Sequence, residues 1–196
     1  MDIILASASP RRKELFQKIT ENFKIVVSNV EEIIPKGLIS EDIPEYFASL
    51  KAKDVSCRYK DDIVIGCDTA VFLNGEMLGK PKDREDAVRM LSALSGKVHY
   101  VITGCCICKG SEKISFSVKT EVEFFELTDD EIEEYIKTSE SFDKAGSYGI
   151  QGKGALLVKR INGDYFNVVG LPVSELNRKL KEFLNGCHWH PFFSSY

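Results

Sequence analysis

The stretch Val64-Ile65-Gly66-Cys67-Asp68-Thr69-Ala70-Val71-Phe72-Leu73-Asn74-Gly75-Glu76-Met77-Leu78-Gly79-Lys80-Pro81 decides how the chain is read. Apolar runs on both sides of Gly66–Asp68 predict a buried strand with a lone carboxylate in its middle. Such a carboxylate is unfavourable unless a cation, hydrogen-bond donors or a metal partners it. Asn74-Gly75 between short apolar runs is the strongest local signal for a two-residue hairpin of type I′. The second arm of that hairpin leads to Lys80-Pro81 and brings Lys80 back toward Asp68. Asp68 is therefore the first candidate for a chemical centre.

N-terminal to this stretch, Asp2–Ala6 reads as a strand and Ser7-Ala8-Ser9-Pro10 as a tight loop. A helix follows through Ile19, with Leu15, Phe16 and Ile19 on its buried side. Ser9 suits the N-cap and Pro10 the first helical position. Free N–H groups at the helix start suit an anion, and an anion would explain Arg11 and Arg12 in a first turn where cations oppose the helix dipole. The alternative is two solvated arginines. Lys24–Ser28 reads as a strand, and Glu31-Glu32 after it as either a solvated turn or a source of a metal ligand. A helix is predicted from Asp42 to about Tyr59, with Ile43, Phe47, Leu50 and Val55 inward and Lys51 at the rim.

C-terminal to it, Asp83 caps a helix that buries Ala87, Met90, Leu91 and Leu94 and stops at Gly96. Lys97–Cys108 and Lys113–Phe125 alternate as the arms of a long antiparallel hairpin. Thr128-Asp129-Asp130-Glu131 is a capping box for a helix through Lys137. Asp143–Gly154 is too glycine-rich for regular structure and predicts a loop passing close to a ligand or another backbone. Ala155–Ile161 and Tyr165–Val169 read as a hairpin around Asn162-Gly163, and Val173–Leu184 as a closing helix. Residues 1–186 form one domain in this reading, with 187–196 as a tail.

With 196 residues, 43% of them hydrophobic and 29% charged, the chain can bury a sizeable core. No apolar run is long enough to cross a membrane and no signal-peptide pattern is present, so the expectation is a cytoplasmic protein without a membrane partner. A net charge of −4 argues against a nucleic-acid surface but leaves room for an anionic small molecule. Ser7, Ser9, Arg11, Arg12, Lys51 and Lys80, together with Asp68, support an anion-handling site, although no Walker motif occurs. The six cysteines read as buried thiols. A zinc set from Cys105, Cys108, Cys187, His188 and His190 is opposed by strand parity, which puts Cys105 on the face opposite Cys106 and Cys108. His99 sits mid-strand without a Gly-x-Ser-x-Gly elbow, which suits a structural histidine better than a base.

Ser7-Ala-Ser-Pro-Arg-Arg-Lys-Glu-Leu15, Gly66-Cys-Asp-Thr69, Leu78-Gly-Lys-Pro81, Ser95-Gly-x-x-His99-x-Val-x-Thr-Gly104, Asp143-Lys-Ala-Gly-Ser-Tyr-Gly-Ile-Gln-Gly152 and Val169-Gly-Leu-Pro172 resemble the Maf family of nucleoside triphosphate pyrophosphatases. The resemblance runs from Leu5 to about Leu184. It implies a mixed α/β fold of the inosine-triphosphate-pyrophosphatase type, with two lobes around a cleft, and a homodimer. It also implies hydrolysis of a pyrimidine nucleoside triphosphate to the monophosphate and pyrophosphate with a divalent cation, Mg²⁺ or Mn²⁺. The loop at Asp143–Gly152 resembles the branch acting on dTTP and UTP, sometimes on CTP and modified pyrimidines. By the same resemblance Asp68 is the general base, and Arg11, Thr69 and Gln151 tune substrate choice. Ser7, Ser9, Arg12, Lys51 and Lys80 face the phosphates, and Glu32 and Asp68 hold the metal. Cys67 stands where the family usually has Ala, and Ser147 where Ala is common. A nucleotide-binding regulator of septum formation is the alternative from another class.

Overall fold

In the computed structural model, which describes residues 1–186, seven strands form one mixed sheet. Strand β1 (Ile3–Ala6) leads into helix α1 (Pro10–Phe16), then β2 (Lys24–Ile25), α2 (Ile43–Arg58), β3 (Ile63–Leu73) and β4 (Glu76–Leu78). Next come α3 (Arg84–Leu94), β5 (Val98–Lys109), β6 (Glu112–Phe124), α4 (Asp129–Lys137), β7 (Val158–Asn162), α5 (Tyr165–Val169) and α6 (Val173–Gly186). The sheet order is β2-β1-β3-β5-β6-β7, with β4 also paired to β3. β1 runs parallel to β2 and β3, and every other pairing is antiparallel. The tail at 187–196, and with it the zinc reading of Cys187, His188 and His190, lies outside the described residues.

The hairpin after Asp68 forms as its residues require. Asn74 and Gly75 take φ of 51° and 82°, the left-handed pair of a type I′ turn, and Leu73 pairs with Glu76 across it. The caps also form: Ser9 accepts from the Arg12 N–H, Asp83 from Asp86, and Thr128 and Glu131 close a capping box. Alternation in β3 separates two packing surfaces. Ile63, Ile65 and Cys67 join the core under α1 and α6, whereas Val64 joins the core under α2.

α2 lies unusually close to the sheet because two glycines sit beneath it. A Cβ on Gly66 would stand 2.2 Å from the Ala48 carbonyl oxygen, and one on Gly104 would stand 2.2 Å from the Glu45 nitrogen. Gly104 is the cross-strand partner of Asp68. The same close approach that excludes a side chain there brings Lys51 of α2 down to Asp68.

Several expectations fail in instructive ways. Tyr165–Val169 is a helix rather than the second arm of a hairpin, because the Asp164 side chain accepts from the Phe166 N–H and starts a turn there. Asn167 then points inward and donates to the Val101 carbonyl and the Thr120 hydroxyl, which an extended arm would not allow. The strand expected over Lys24–Ser28 shortens to the exposed pair Lys24–Ile25, at the rim of the sheet. Ala155–Leu157 belongs to a 3₁₀ turn, so β7 starts later than expected. The helices expected from Asp42 and through Ile19 instead begin at Ile43 and end at Phe16, and Leu50 is half-buried.

Candidate functional site

The site follows from how the sheet is paired. β1 covers the outer edge of β3 as far as the pair Ala6–Gly66, and β4 covers it again from the pair Val71–Leu78. Between them Cys67–Ala70 have no strand on that side, and a cavity of about 730 Å³ opens at the gap. Ser7, Ser9, Arg11, Arg12, Glu32, Lys51, Asp68, Thr69, Lys80 and Gln151 all line it. Continuing the β4 register two residues past Leu78 would set Lys80 opposite Thr69, and pairing stops just short of that point.

Asp68 and Thr69 alternate, so they serve opposite faces of β3. On the α2 side, Lys51 Nζ lies 2.6 Å from Asp68 Oδ1 and 2.7 Å from Glu32 Oε1. Both Asp68 and Lys51 side chains are 16% exposed, while Glu32 is 49% exposed. Burial pushes the Asp68 carboxyl above the usual carboxylate range, against the pull of the Lys51 and Arg12 cations. The lone carboxylate inferred from the apolar runs thus has its cation, and the Glu31-Glu32 turn supplies a second carboxylate.

On the other face a guanidinium meets hydroxyls and backbone carbonyls. Arg12 Nε donates to the Gly170 carbonyl at 2.9 Å, and Nη1 donates to the Cys67 carbonyl at 2.9 Å. Its Nη2 donates to Thr69 Oγ1 at 2.9 Å. The carbonyl of Cys67, left without a strand partner at the gap, is thereby satisfied. Thr69 Oγ1 in turn lies 2.9 Å from Thr103 Oγ1. Across the cavity mouth, Arg11 Nη1 meets Asp143 Oδ2 at 3.0 Å. Ser7 is buried, and its hydroxyl accepts from the Ser9 N–H.

The glycine-rich segment forms one wall, held by contacts that glycine permits. A Cβ on Gly154 would stand 2.5 Å from the Gly149 carbonyl, and one on Gly152 would meet the Glu140 carboxylate. Gly146 and Ser147 both take positive φ, 69° and 67°, which drops Tyr148 inward. The Tyr148 hydroxyl lies 2.8 Å from His99 Nε2, and both rings pack edge-on against Phe124. His99 is fully buried, and burial pulls its pKa down to about 4, so the ring is neutral. It is a structural histidine that pins this wall, as its mid-strand place suggests.

A family model described as Maf-like protein matches residues 2–183. The chain belongs to the Maf family. A relative from Bacillus cytotoxicus named dTTP/UTP pyrophosphatase is 50% identical over 184 residues, covering 94% of this chain and 96% of that protein. One of the same name from Clostridioides difficile is 47% identical over 188 residues, at 94% and 96% coverage. The solved structure of the Staphylococcus aureus Ham1 protein superposes with a TM-score of 0.54 at 16% identity, over 93% of this chain and all of that one, a likeness of fold.

In this Maf chain the cysteine parity holds as expected, one thiol expected to be buried, Cys57, is exposed, and the other departures lie behind the site. Cys67 and Cys105 face each other across β3 and β5 with sulfurs 3.7 Å apart, and Cys106 and Cys108 pack on the α2 side. Parity therefore separates Cys105 from Cys108, and among the described residues no group of three or more His, Cys, Asp or Glu is placed to hold a metal. Asp143, Tyr148 and Thr103 stand in the quoted motifs without a role of their own, and Asn167 lies outside them. For Thr103 and Asn167 the available signal was a polar residue at an inward position of an apolar run, which must find a partner.

Proposed function

We propose that this Maf protein hydrolyses dTTP and UTP to the nucleoside monophosphate and pyrophosphate. The observation that carries this is the pair of relatives named dTTP/UTP pyrophosphatase, 50% and 47% identical over 94% of the chain. The cavity suits the reaction. Asp68 would take the proton of the attacking water, with Lys51 holding it ionised in spite of burial. Ser7, Ser9, Arg11, Lys51 and Lys80 would meet the phosphates and the charge that builds on the leaving pyrophosphate. Arg12 directs three N–H groups to the protein and has two left for phosphate. Thr69 and Gln151 would face the base.

The donor set fits a divalent cation. Mg²⁺ or Mn²⁺ is commonly held by one or two carboxylates plus substrate phosphates, and Glu32 and Asp68 are two carboxylates gathered on one ammonium. When bound, the cation would supply neutralisation of phosphate charge. A homodimer rests on the family resemblance, and light scattering on the purified chain tests it. The deciding experiment for function is a panel of nucleoside triphosphates with pyrophosphate detection. Turnover of dTTP and UTP is expected, and failure to turn over any pyrimidine triphosphate would sink the reading. Tight binding without turnover would favour the regulator instead.

A further inference from the structure

Behind Thr69 runs a chain of hydrogen bonds whose direction is fixed by its two ends. Arg12 Nη2 can only donate, and it points at Thr69 Oγ1 from 2.9 Å. At the far end the Asn167 carbonyl can only accept, and Thr103 Oγ1 donates to it at 3.1 Å. Thr103 has one hydroxyl hydrogen, so with that hydrogen on Asn167 its oxygen must accept from Thr69 across 2.9 Å. Thr69 therefore accepts from Arg12, donates to Thr103 and keeps one free lone pair. The opposite polarity would send the Thr69 hydrogen to the Gly170 carbonyl at 3.4 Å, a longer bond. With the Thr69 hydrogen on Thr103, the shorter of the two bonds, none remains for a ligand.

The far end is rigid. Asn167 is fully buried, and its amide donates to the Val101 carbonyl at 3.0 Å and to Thr120 Oγ1 at 2.9 Å. Thr120 donates to the Asp164 carbonyl at 3.1 Å, which ties the start of α5 to β6. Thr103 is also fully buried.

We propose that Thr103 is a positioning residue for substrate choice: by taking the hydroxyl hydrogen of Thr69 it makes Thr69 an obligate acceptor toward the cavity. This rests on the reading of the cavity as a pyrimidine nucleotide site. An obligate acceptor disfavours phosphate oxygens, so Thr69 faces the base. It matches the imide N3–H that thymine and uracil share and opposes the unprotonated N3 of cytosine. The bond is one of few that can separate these bases, because a mispaired buried polar group is penalised more than a lost contact.

The test is the ratio of kcat/KM for UTP over CTP in the full chain. Thr103→Val is expected to lower that ratio about tenfold, the size of a single hydrogen bond. The change should lie in KM, with kcat on UTP within about twofold. Thr103→Ser, which keeps the hydroxyl, should restore the parent ratio. An unchanged ratio in an active, folded Thr103→Val overturns the proposal, as does a Thr103→Ser variant that behaves like Thr103→Val. Should Thr103→Val not fold, Thr103→Cys carries the same prediction with a weaker acceptor. A parent chain that turns over neither UTP nor CTP defeats the functional reading instead. The relay then stands or falls by NMR on the free protein, where the Thr69 hydroxyl proton should exchange slowly and show a cross-peak to Thr103. Rapid exchange of that proton overturns it.

Discussion

Asp68 and Thr69 are chain neighbours on opposite faces of β3, and their surroundings have little in common. Asp68 sits among charges, with Lys51 between it and Glu32. Thr69 sits in a relay of hydroxyls and backbone carbonyls that begins at the Arg12 guanidinium. The first arrangement suits moving a proton and meeting phosphate charge, since ions are strong and non-directional partners in a poorly solvated cleft. The second suits reading a base edge, because hydroxyl chains are directional and fix which atoms donate. A gap of four residues in the pairing of β3 exposes both at once, so one strand edge provides a chemical half and a reading half.

The strongest way to break this division is Asp68→Asn. Loss of a positioned base typically reduces rate by about 10²–10⁴-fold, and kcat on UTP should fall by that much, while the fold persists. Circular dichroism and pyrophosphate release measure the two parts. Burial raises the Asp68 pKa, so the acid limb of the parent's kcat/KM profile should lie above the ordinary carboxylate range of 3.8. Retention of activity in Asp68→Asn would move the chemistry away from this face.

The next largest effect is expected beneath α2. In Gly104→Ala the new Cβ meets backbone of Pro44 and Glu45 rather than a flexible side chain. Overpacking of that kind costs about 1–3 kcal/mol or more, readable as a lowered denaturation midpoint. Lys51 rides on α2, so kcat should also drop while the UTP-to-CTP ratio, set on the other face, holds. A changed ratio with unchanged kcat would show that the two faces are not separate.

The charged half was the more legible from sequence. Asp68 stood out as a carboxylate between apolar runs, and the Asn74-Gly75 turn and the Ser9 cap are local chemistry that a few residues determine. In the reading half the resemblance names Thr69 and Gln151 but not the relay, because its bonds span the chain: Arg12 reaches Cys67 55 residues on and Gly170 158 residues on. Thr103 and Asn167 gain meaning only when β5 and α5 are adjacent. α5 itself was hidden by Tyr-Phe-Asn-Val-Val, whose aromatic and β-branched residues favour a strand, while one side-chain cap at Asp164 decides for a helix.

His99, on the Thr69 face of β5, gives that face a pH signature. Its folded pKa of about 4 lies below the ordinary histidine value of 6.5, so the unfolded chain binds the proton more readily. The contribution is whole above about pH 6.5 and is lost as pH falls toward 4. Between pH 7 and 5 this should remove about 2 kcal/mol of stability, measured by denaturant titration at each pH. His99→Gln should flatten that part of the curve. A parent-like slope in the variant would assign the acid sensitivity to other groups.

The smallest effect is expected at the cavity mouth, where Arg11 and Asp143 join the α1 wall to the glycine-rich wall. Their side chains are 32% and 62% exposed, and a pair in that much water contributes about 0–1 kcal/mol, so Asp143→Asn should scarcely move the denaturation midpoint. Its consequence lies in competition. If Arg11 exchanges Asp143 for a phosphate when nucleotide enters, neutralising Asp143 removes the competitor, and KM for UTP should fall by about two- to threefold at low ionic strength. Screening should erase the difference near 1 M salt, where the Debye length is about 3 Å. An unchanged KM at low salt would mean that Arg11 keeps Asp143 throughout, leaving the phosphates to the cations on the Asp68 face and Arg11 to the wall that carries Gln151.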